Sequence, residues 1–450
     1  MRRKIQSQPE EKGPNMVVGL DIGTTKILMV MGLLREDGKI EVCGYGKVPS
    51  NGVEFGQVFN VQETINSILA AKKELLNKID EPISSVYVGV AGRHIHSMSC
   101  TNSITRPNGL DKMVSKEEID KMIAQMESYS VDSGDIITVI PQFYEVDGLP
   151  TLKPVGTLCQ KVTGQYQLIV GNTLEVRKIR KSADGAGLDV RDLILEPMAS
   201  GAVCLTEEEK NQGVALVDIG GGTSDLILYE SGVPIYIKVI PVGGKLVTRD
   251  IQSLNLSFEQ AEALKIKHGT CLVDKANRNN VFTIPDTAGY GSPTSINEYT
   301  LANVIQSRVK QDILEAIKRE IDASGYASRI KNVVLTGGGA MIRDIKQLSE
   351  FVLQRRTRIG FPINGFSTTP DSDLKNPICA TALGLLKMGC LAENQPYIGN
   401  KSTDDIVDFS TDDIQDVDDD SPKRAGKLSQ LSKKLESWLR NILADGGGVE

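Results

Sequence analysis

Apolar and polar positions along this chain fall into blocks whose period changes several times. Residues 17–21 form a short apolar run, and 26–31 and 39–47 are strand-like, parted by the turn Glu36-Asp37-Gly38. Over 61–79 the residues Ile65, Ile68, Leu69, Leu75, Leu76 and Ile79 recur at helical spacing, and Pro82 stops the run. Two strands broken at Gly92 are predicted over 86–97. A helix over 115–129 opens with the capping pattern Ser115-x-x-Glu118. Segments 136–146 and 155–170 are β-rich, and 174–186 is helical. A second apolar strand occupies 213–218, followed by strands over 226–229 and 235–242 and two helical stretches within 246–267. Residues 273–295 are rich in Asn, Gly, Pro and Thr and read as a loop or weak hairpin. A long amphipathic helix is predicted over 301–322, a short strand over 333–335, and helices over 342–354 and 380–390. Residues 394–422 hold many Asp and few large apolar side chains. They bury too little surface to offset ordering entropy, so a disordered linker is predicted. Helical periodicity returns over 427–443.

Composition narrows this picture. The 450 residues allow about two to four domains, and 40% hydrophobic content supplies a sizeable core. The net charge of −7 argues against a nucleic-acid binder with a wholly basic surface. That charge is uneven: 401–420 carries nine Asp against one Lys, and 421–443 carries six Lys or Arg against one Glu. The seven Cys are scattered, without a Cys-x-x-Cys pair, as expected of buried thiols in a reducing compartment. Three His exclude a His-rich metal site, and His94 and His96 read as plain strand residues. The first fifteen residues are polar, with Arg2, Arg3 and Lys4, and no apolar core of a signal peptide follows them. No run of about 18 apolar residues occurs, so no transmembrane helix is predicted and a cytoplasmic protein is expected.

The candidate chemistry lies in three glycine-rich turns. Leu20-Asp21-Ile22-Gly23-Thr24-Thr25-Lys26 and Val217-Asp218-Ile219-Gly220-Gly221-Gly222-Thr223 each follow an apolar strand and precede another. Their likeness is a duplication signal. Glycines let backbone N–H groups approach an anion, and hydroxyls add donors. An Asp at the strand end can hold Mg²⁺ through water. Two such hairpins facing each other would grip a triphosphate. A third turn, Thr336-Gly337-Gly338-Gly339-Ala340, lies between a strand and a helix, and its small residues would admit a flat ring. No Gly-x-x-x-x-Gly-Lys-Ser/Thr occurs, so this is not a P-loop protein.

The three turns, in this order, resemble the superfamily of actin, sugar kinases and heat-shock chaperone ATPases. Within it the chain is similar to the FtsA family of bacterial cell-division proteins. The similar stretches include Glu196-Pro197-Met198-Ala199-Ser200, Val239-Ile240-Pro241-Val242-Gly243-Gly244, Ala261-Glu262-Ala263-Leu264-Lys265, Asn376-Pro377-Ile378-Cys379-Ala380-Thr381, Val88-Gly89-Val90-Ala91-Gly92-Arg93-His94 and Ile140-Pro141-Gln142-Phe143-Tyr144. The resemblance implies an α/β actin-like duplicated nucleotide-binding fold, two ribonuclease-H-like halves with an inserted α+β subdomain. Subdomain 1A is expected at 16–82, 171–210 and 376–393, the insert 1C at 83–170, 2A at 211–243 and 322–375, and 2B at 244–321.

It also implies roles. Asp21 and Asp218 would flank Mg²⁺-ATP. Gly23, Thr24, Thr25 and Lys26 would form the first phosphate turn, and Gly220, Gly221, Gly222 and Thr223 the second. Glu262 and Lys265 would grip the nucleoside, against the plainer reading of a solvated helix salt bridge. Gly337, Gly338 and Gly339 would contact adenosine, and Glu196 would orient the attacking water or simply cap its helix. ATPase activity is expected to be weak, with nucleotide acting on polymerisation into filaments. The implied partners are other division proteins, above all the C-terminal peptide of the tubulin-like ring protein FtsZ on subdomain 2B.

The tail fits a tether at the inner face of the cell membrane. Leu428, Leu431, Leu435, Trp438, Leu439 and Ile442 share one helical face, while Lys433, Lys434 and Arg440 populate the rest. Such a basic amphipathic helix suits anionic lipid. Packing on a protein surface is the alternative. Among rival functions, a small-molecule kinase would need a sugar pocket and base that the sequence lacks. A chaperone would need a β-rich domain after residue 390. A pilus-assembly or cytoskeletal scaffold of the same superfamily is the remaining alternative.

Overall fold

The computed structural model describes residues 16–106, 112–132, 134–285, 293–367, 373–393 and 409–410. The predicted membrane helix and nearly all of the acidic linker lie outside the described residues.

The chain starts with a β-meander, β1 (Val17–Ile22), β2 (Lys26–Leu34) and β3 (Ile40–Pro49). A small hairpin follows, β4 (Val53–Glu54) and β5 (Gln57–Val58), then α1 (Val61–Leu76) and β6 (Ser85–Val90). Asn60 caps α1 by accepting from the Glu63 N–H. The inserted unit follows: β7 (Ile95–Thr105), α2 (Lys116–Glu127), β8 (Asp135–Val146), β9 (Leu149–Thr151) and β10 (Lys161–Gly171). The predicted capping box forms at α2, where Ser115 and Glu118 bond each other's backbone N–H groups. The chain then returns through α3 (Thr173–Gly185), β11 (Asp189–Leu195), α4 (Glu196–Cys204) and α5 (Glu207–Gln212).

The second half repeats the first. It contains β12 (Val214–Ile219), β13 (Ser224–Glu230) and β14 (Val233–Ile240), then α6 (Gly244–Gln252) and α7 (Phe258–His268). Strands β15 (Val281–Ile284) and β16 (Thr294–Asn297) pair as the weak hairpin expected there. The long helix runs as α8 (Glu298–Arg308) and α9 (Glu315–Ala323), joined through a π-helical stretch, Val309–Leu314. Last come β17 (Asn332–Thr336), α10 (Ile345–Leu353), β18 (Arg356–Ile359), α11 (Ala380–Glu393) and β19 (Phe409–Ser410).

The sheets make the duplication explicit. The first has strand order β11-β6-β1-β2-β3 and the second β18-β17-β12-β13-β14. In both, the opening strand is antiparallel to the second and parallel to the fourth. Strand β1 is buried along its whole length, and its near-continuous apolar sequence is what a strand covered on both faces requires. Helix α11 packs in the first half, where a Cβ at Gly384 would stand 1.9 Å from Ala199 O of α4. The third sheet, β19-β7-β10-β8-β9, belongs to the insert. Because β6 pairs with β1, the insert's own strands start at Ile95, later than the boundary at 83. The linker contributes Phe409–Ser410, paired antiparallel with Ile104 and Ser103 of β7. No helix among the described residues is long and apolar enough to cross a membrane.

Candidate functional site

The first two glycine turns are hairpin tips at the ends of β1 and β12. In the first, the Gly23 N–H donates to Lys26 O at 3.0 Å; in the second, the Gly220 N–H donates to Thr223 O at 2.8 Å. The two tips meet face to face. A Cβ at Gly221 would lie 2.2 Å from Thr25 Cγ2, and one at Gly222 would lie 2.9 Å from Thr24 Oγ1. The missing side chains let the first turn's threonines seat against the second turn's backbone. Lys245, in the first turn of α6, joins the tips: its N–H donates to Gly221 O at 2.8 Å and its Nζ to Thr24 O at 3.0 Å.

Beneath the tips, carboxylates converge. Lys26 Nζ stands 2.5 Å from Asp21 Oδ2. Asp218 Oδ2 accepts from Ser200 Oγ of α4 at 2.8 Å and from Thr381 Oγ1 of α11 at 3.2 Å. Glu196 opens α4 and lies over β6, where a Cβ at Gly89 would meet its Oε1 at 2.9 Å. Asp225 is buried directly across the hairpin from Asp218, and its Oδ1 has no hydrogen-bond partner.

Crowding shows in the electrostatics. Burial, then the charges of Asp21, Asp225 and Asp218, holds the Glu196 carboxyl well above the ordinary range, with Lys26 opposing. Burial and then Asp218 do the same to Asp225. Burial also raises Asp218, against the bond from Ser200. For Lys26, burial pulls the ammonium down, but Asp21 outweighs it and the net shift is upward. Four carboxyl groups are thus crowded together, and among the described residues Lys26 offsets three of them, Asp21, Glu196 and Asp218, an arrangement a bound cation would relieve.

The third turn packs on the second. Gly337 has φ +82°, and a Cβ there would stand 2.2 Å from Asp218 Oδ1 and 2.6 Å from Ile219 O. Beside it opens a cavity of about 250 Å³, lined by Ala340, Met341, Ile342, Phe361 and Pro377 among others. The turn continues as a 3₁₀ segment, Gly339–Met341, and Asp344 is left-handed at φ 67°. Helix α10 therefore starts at Ile345 and not at 342.

Glu262 and Lys265 are paired at 2.7 Å, as the i, i+3 spacing predicts. The lysine is not solvated, although Glu262 stays about 35% exposed. Lys265 is buried, and its Nζ also donates to Thr248 Oγ1 at 2.7 Å and Gly244 O at 3.1 Å. Burial pulls its ammonium down while Glu262 pulls it up. The Gly244 N–H donates to Gly220 O at 2.9 Å, so the pair stands immediately behind the second turn. Neither residue lines the cavity beside the third turn.

The structure thus brings together Asp21, Lys26, Glu196, Asp218 and the three turns. The sequence alone assigns no role to Asp225, Lys245, Ser200 or Thr381. Asp225 had a legible signal: a four-residue turn after Ile219 places it opposite Asp218. The other three are brought in by packing between helices and turns, which spacing does not reveal. His94 precedes β7 and bonds Gln57, so of the two histidines only His96 is the strand residue expected.

Two matching sheets, each offering a glycine hairpin tip that meets the other, define the actin-like class. A type IV pilus biogenesis complex, PilM–PilN, has a chain of similar fold, 18% identical, with a TM-score of 0.57 over 83% of this chain and 98% of that one. Residues 215–384 match the family described as cell division protein FtsA, and 92–170 match the SHS2 domain inserted in FtsA. The FtsA of Neisseria meningitidis serogroup B is 32% identical over 383 residues, covering 83% of this chain and 90% of that protein. Escherichia coli K12 FtsA is 32% identical over 385 residues, with the same two shares, and Bacillus subtilis FtsA is 30% identical over 378, covering 83% of each. The chain belongs to the FtsA family of cell division proteins.

Proposed function

We propose that this protein binds Mg²⁺-ATP between its two hairpin tips and tethers the FtsZ ring to the inner face of the cell membrane. The observation that carries the nucleotide reading is the contact of Thr24 and Thr25 with Gly221 and Gly222 above a cluster of carboxylates. Backbone N–H groups and hydroxyls of both tips would take the phosphates. Among the described residues, no three His, Cys, Asp or Glu side chains are arranged to hold a metal directly. Asp21 and Asp218 would hold Mg²⁺ through its water shell, as this reluctantly dehydrated ion prefers. The unpartnered Oδ1 of Asp225 fits the same role. Gly337, Gly338 and Gly339 would contact the adenosine, with Lys265 and Glu262 gripping the nucleoside. Glu196, its proton affinity raised, would position or deprotonate the attacking water. Hydrolysis would be slow and serve filament turnover.

Membership of the FtsA family supports the division role, FtsZ as partner through its C-terminal peptide on residues 244–321, and self-association into filaments. The membrane reading rests on the sequence of the last segment, Leu428 to Ile442, with Trp438 on its apolar face. Co-sedimentation with anionic liposomes, with and without ATP and the FtsZ peptide, tests it. The full chain is expected to pellet, and chains lacking 423–450 or carrying Trp438→Glu to stay in solution. A truncated chain that still pellets refutes the tether.

A further inference from the structure

The small hairpin β4–β5 lies where both phosphate turns and the root of the insert come together. Its tip is Phe55-Gly56, both left-handed, at φ 48° and 72°. Such a φ is unusual for a phenylalanine and is held only where the surroundings fix it. What fixes it is contact on three sides. The Gly56 N–H donates to Thr24 Oγ1 of the first turn at 3.0 Å. A Cβ at Gly222 of the second turn would lie 3.1 Å from Phe55 N, and one at Gly56 would lie 3.6 Å from both Thr223 Cγ2 and Gly92 Cα. Gly92 begins the connection into the insert. On that side Gln57 Nε2 and His94 Nδ1 are 3.1 Å apart. Gly92 itself, at φ 125°, has no room for a side chain: a Cβ would meet His94 Nδ1 at 2.8 Å and Gln57 Cγ at 3.2 Å.

The hydrogen bond to Thr24 has a chemical consequence. By accepting from Gly56, Thr24 Oγ1 uses one lone pair and keeps its own proton to donate. The tip therefore presets this hydroxyl as a donor to an anion. We propose that the β4–β5 tip is a positioning element that senses the occupancy of the phosphate site through Thr24 and passes it, through Gln57 and His94, to the inserted subdomain. A terminal phosphate between the turns must engage Thr24 and the Gly222 backbone, the two groups on which the tip rests. Any shift of the tip then moves Gln57, and with it the first residues of the insert. This rests on the nucleotide reading above and adds a route by which nucleotide state reaches the inserted subdomain.

Hydrogen–deuterium exchange of residues 92–106 in the full chain, with Mg²⁺-ATP, with Mg²⁺-ADP and without nucleotide, tests the relay. The wild type is expected to show exchange there that differs between ATP and ADP by roughly 2- to 10-fold, the factor one hydrogen bond supplies. Gln57→Leu should bind ATP within about 3-fold of wild type yet lose that difference, because a shift of less than one hydrogen bond's worth is expected at the phosphates. Exchanging the pair, Gln57→His with His94→Gln, should restore it, which a merely structural role for Gln57 does not predict. ATP binding with no change over 92–106, or Gln57→Leu retaining the full difference, overturns the relay while leaving the nucleotide site intact. A wild type that fails to bind ATP refutes the nucleotide reading and the relay with it.

Discussion

The two halves match strand for strand, but the tips they bring to the cleft are chemically unlike. In register, Lys26 of the first hairpin corresponds to Thr223 of the second, and Leu28 to Asp225. The first tip is balanced, Asp21 against Lys26. The second sets two carboxyls opposite each other, with hydroxyls from Ser200 and Thr381 and no cation of its own. Leu28 is fully buried among the residues around α11, an inexpensive way to fill that position. Asp225 fills it at a cost, since a buried carboxyl oxygen without a partner forfeits its solvation. The scaffold does not need the acid, as the first half shows. The proposed Mg²⁺-nucleotide would give it a use.

Changes at the two tips break or sharpen that contrast. Lys26→Met removes the cation that offsets Asp21, Glu196 and Asp218 and should be the most damaging, by about 3–5 kcal/mol at pH 7.5 in urea unfolding. The loss should shrink toward pH 5, as Glu196, Asp225 and Asp218, all with raised proton affinity, take up protons and relieve the excess charge. Equal losses at both pH values would mean that Lys26 acts by packing alone. Gly337→Ala places a methyl against Asp218 Oδ1 at a left-handed position, and a loss of roughly 2–4 kcal/mol is expected.

Asp225→Asn should act in the opposite direction and more mildly. A carboxyl whose folded-state pKa is raised adds stability below the ordinary carboxylate range and loses it as pH rises through the folded value. As pH rises through the folded value the wild type progressively loses that contribution, so the neutral amide should increasingly stabilise the nucleotide-free protein toward pH 8, by up to about 1–2 kcal/mol. The gain should vanish near pH 4. Thermal melts across that pH range read it, and destabilisation at pH 8 would contradict the charge account.

How legible these features were in the sequence depended on their period. The strand–glycine–strand hairpins announced themselves because an apolar run, a turn that excludes side chains and a second apolar run are all local. Ser115 and Glu118 likewise signalled the start of α2. The β4–β5 hairpin did not, since strands of two residues carry no period. Strand β11 was missed because Arg191 and Asp192 interrupt its apolar pattern, and only its last three residues are buried. The π-helical stretch Val309–Leu314 lies inside a helical pattern whose apolar spacing hardly registers the wider turn. Lys265 could have been a surface pair by spacing. Its burial comes from α6 packing on the second tip, a tertiary fact.

The central claim is that a nucleotide is held between the unlike tips, and equilibrium binding of labelled ATP with Mg²⁺ to the full chain tests it most directly. The wild type should bind saturably, and Asp218→Ala, which removes the carboxylate tying the second tip to Ser200 and Thr381, should abolish binding while remaining folded. Unchanged affinity in Asp218→Ala would contradict the account.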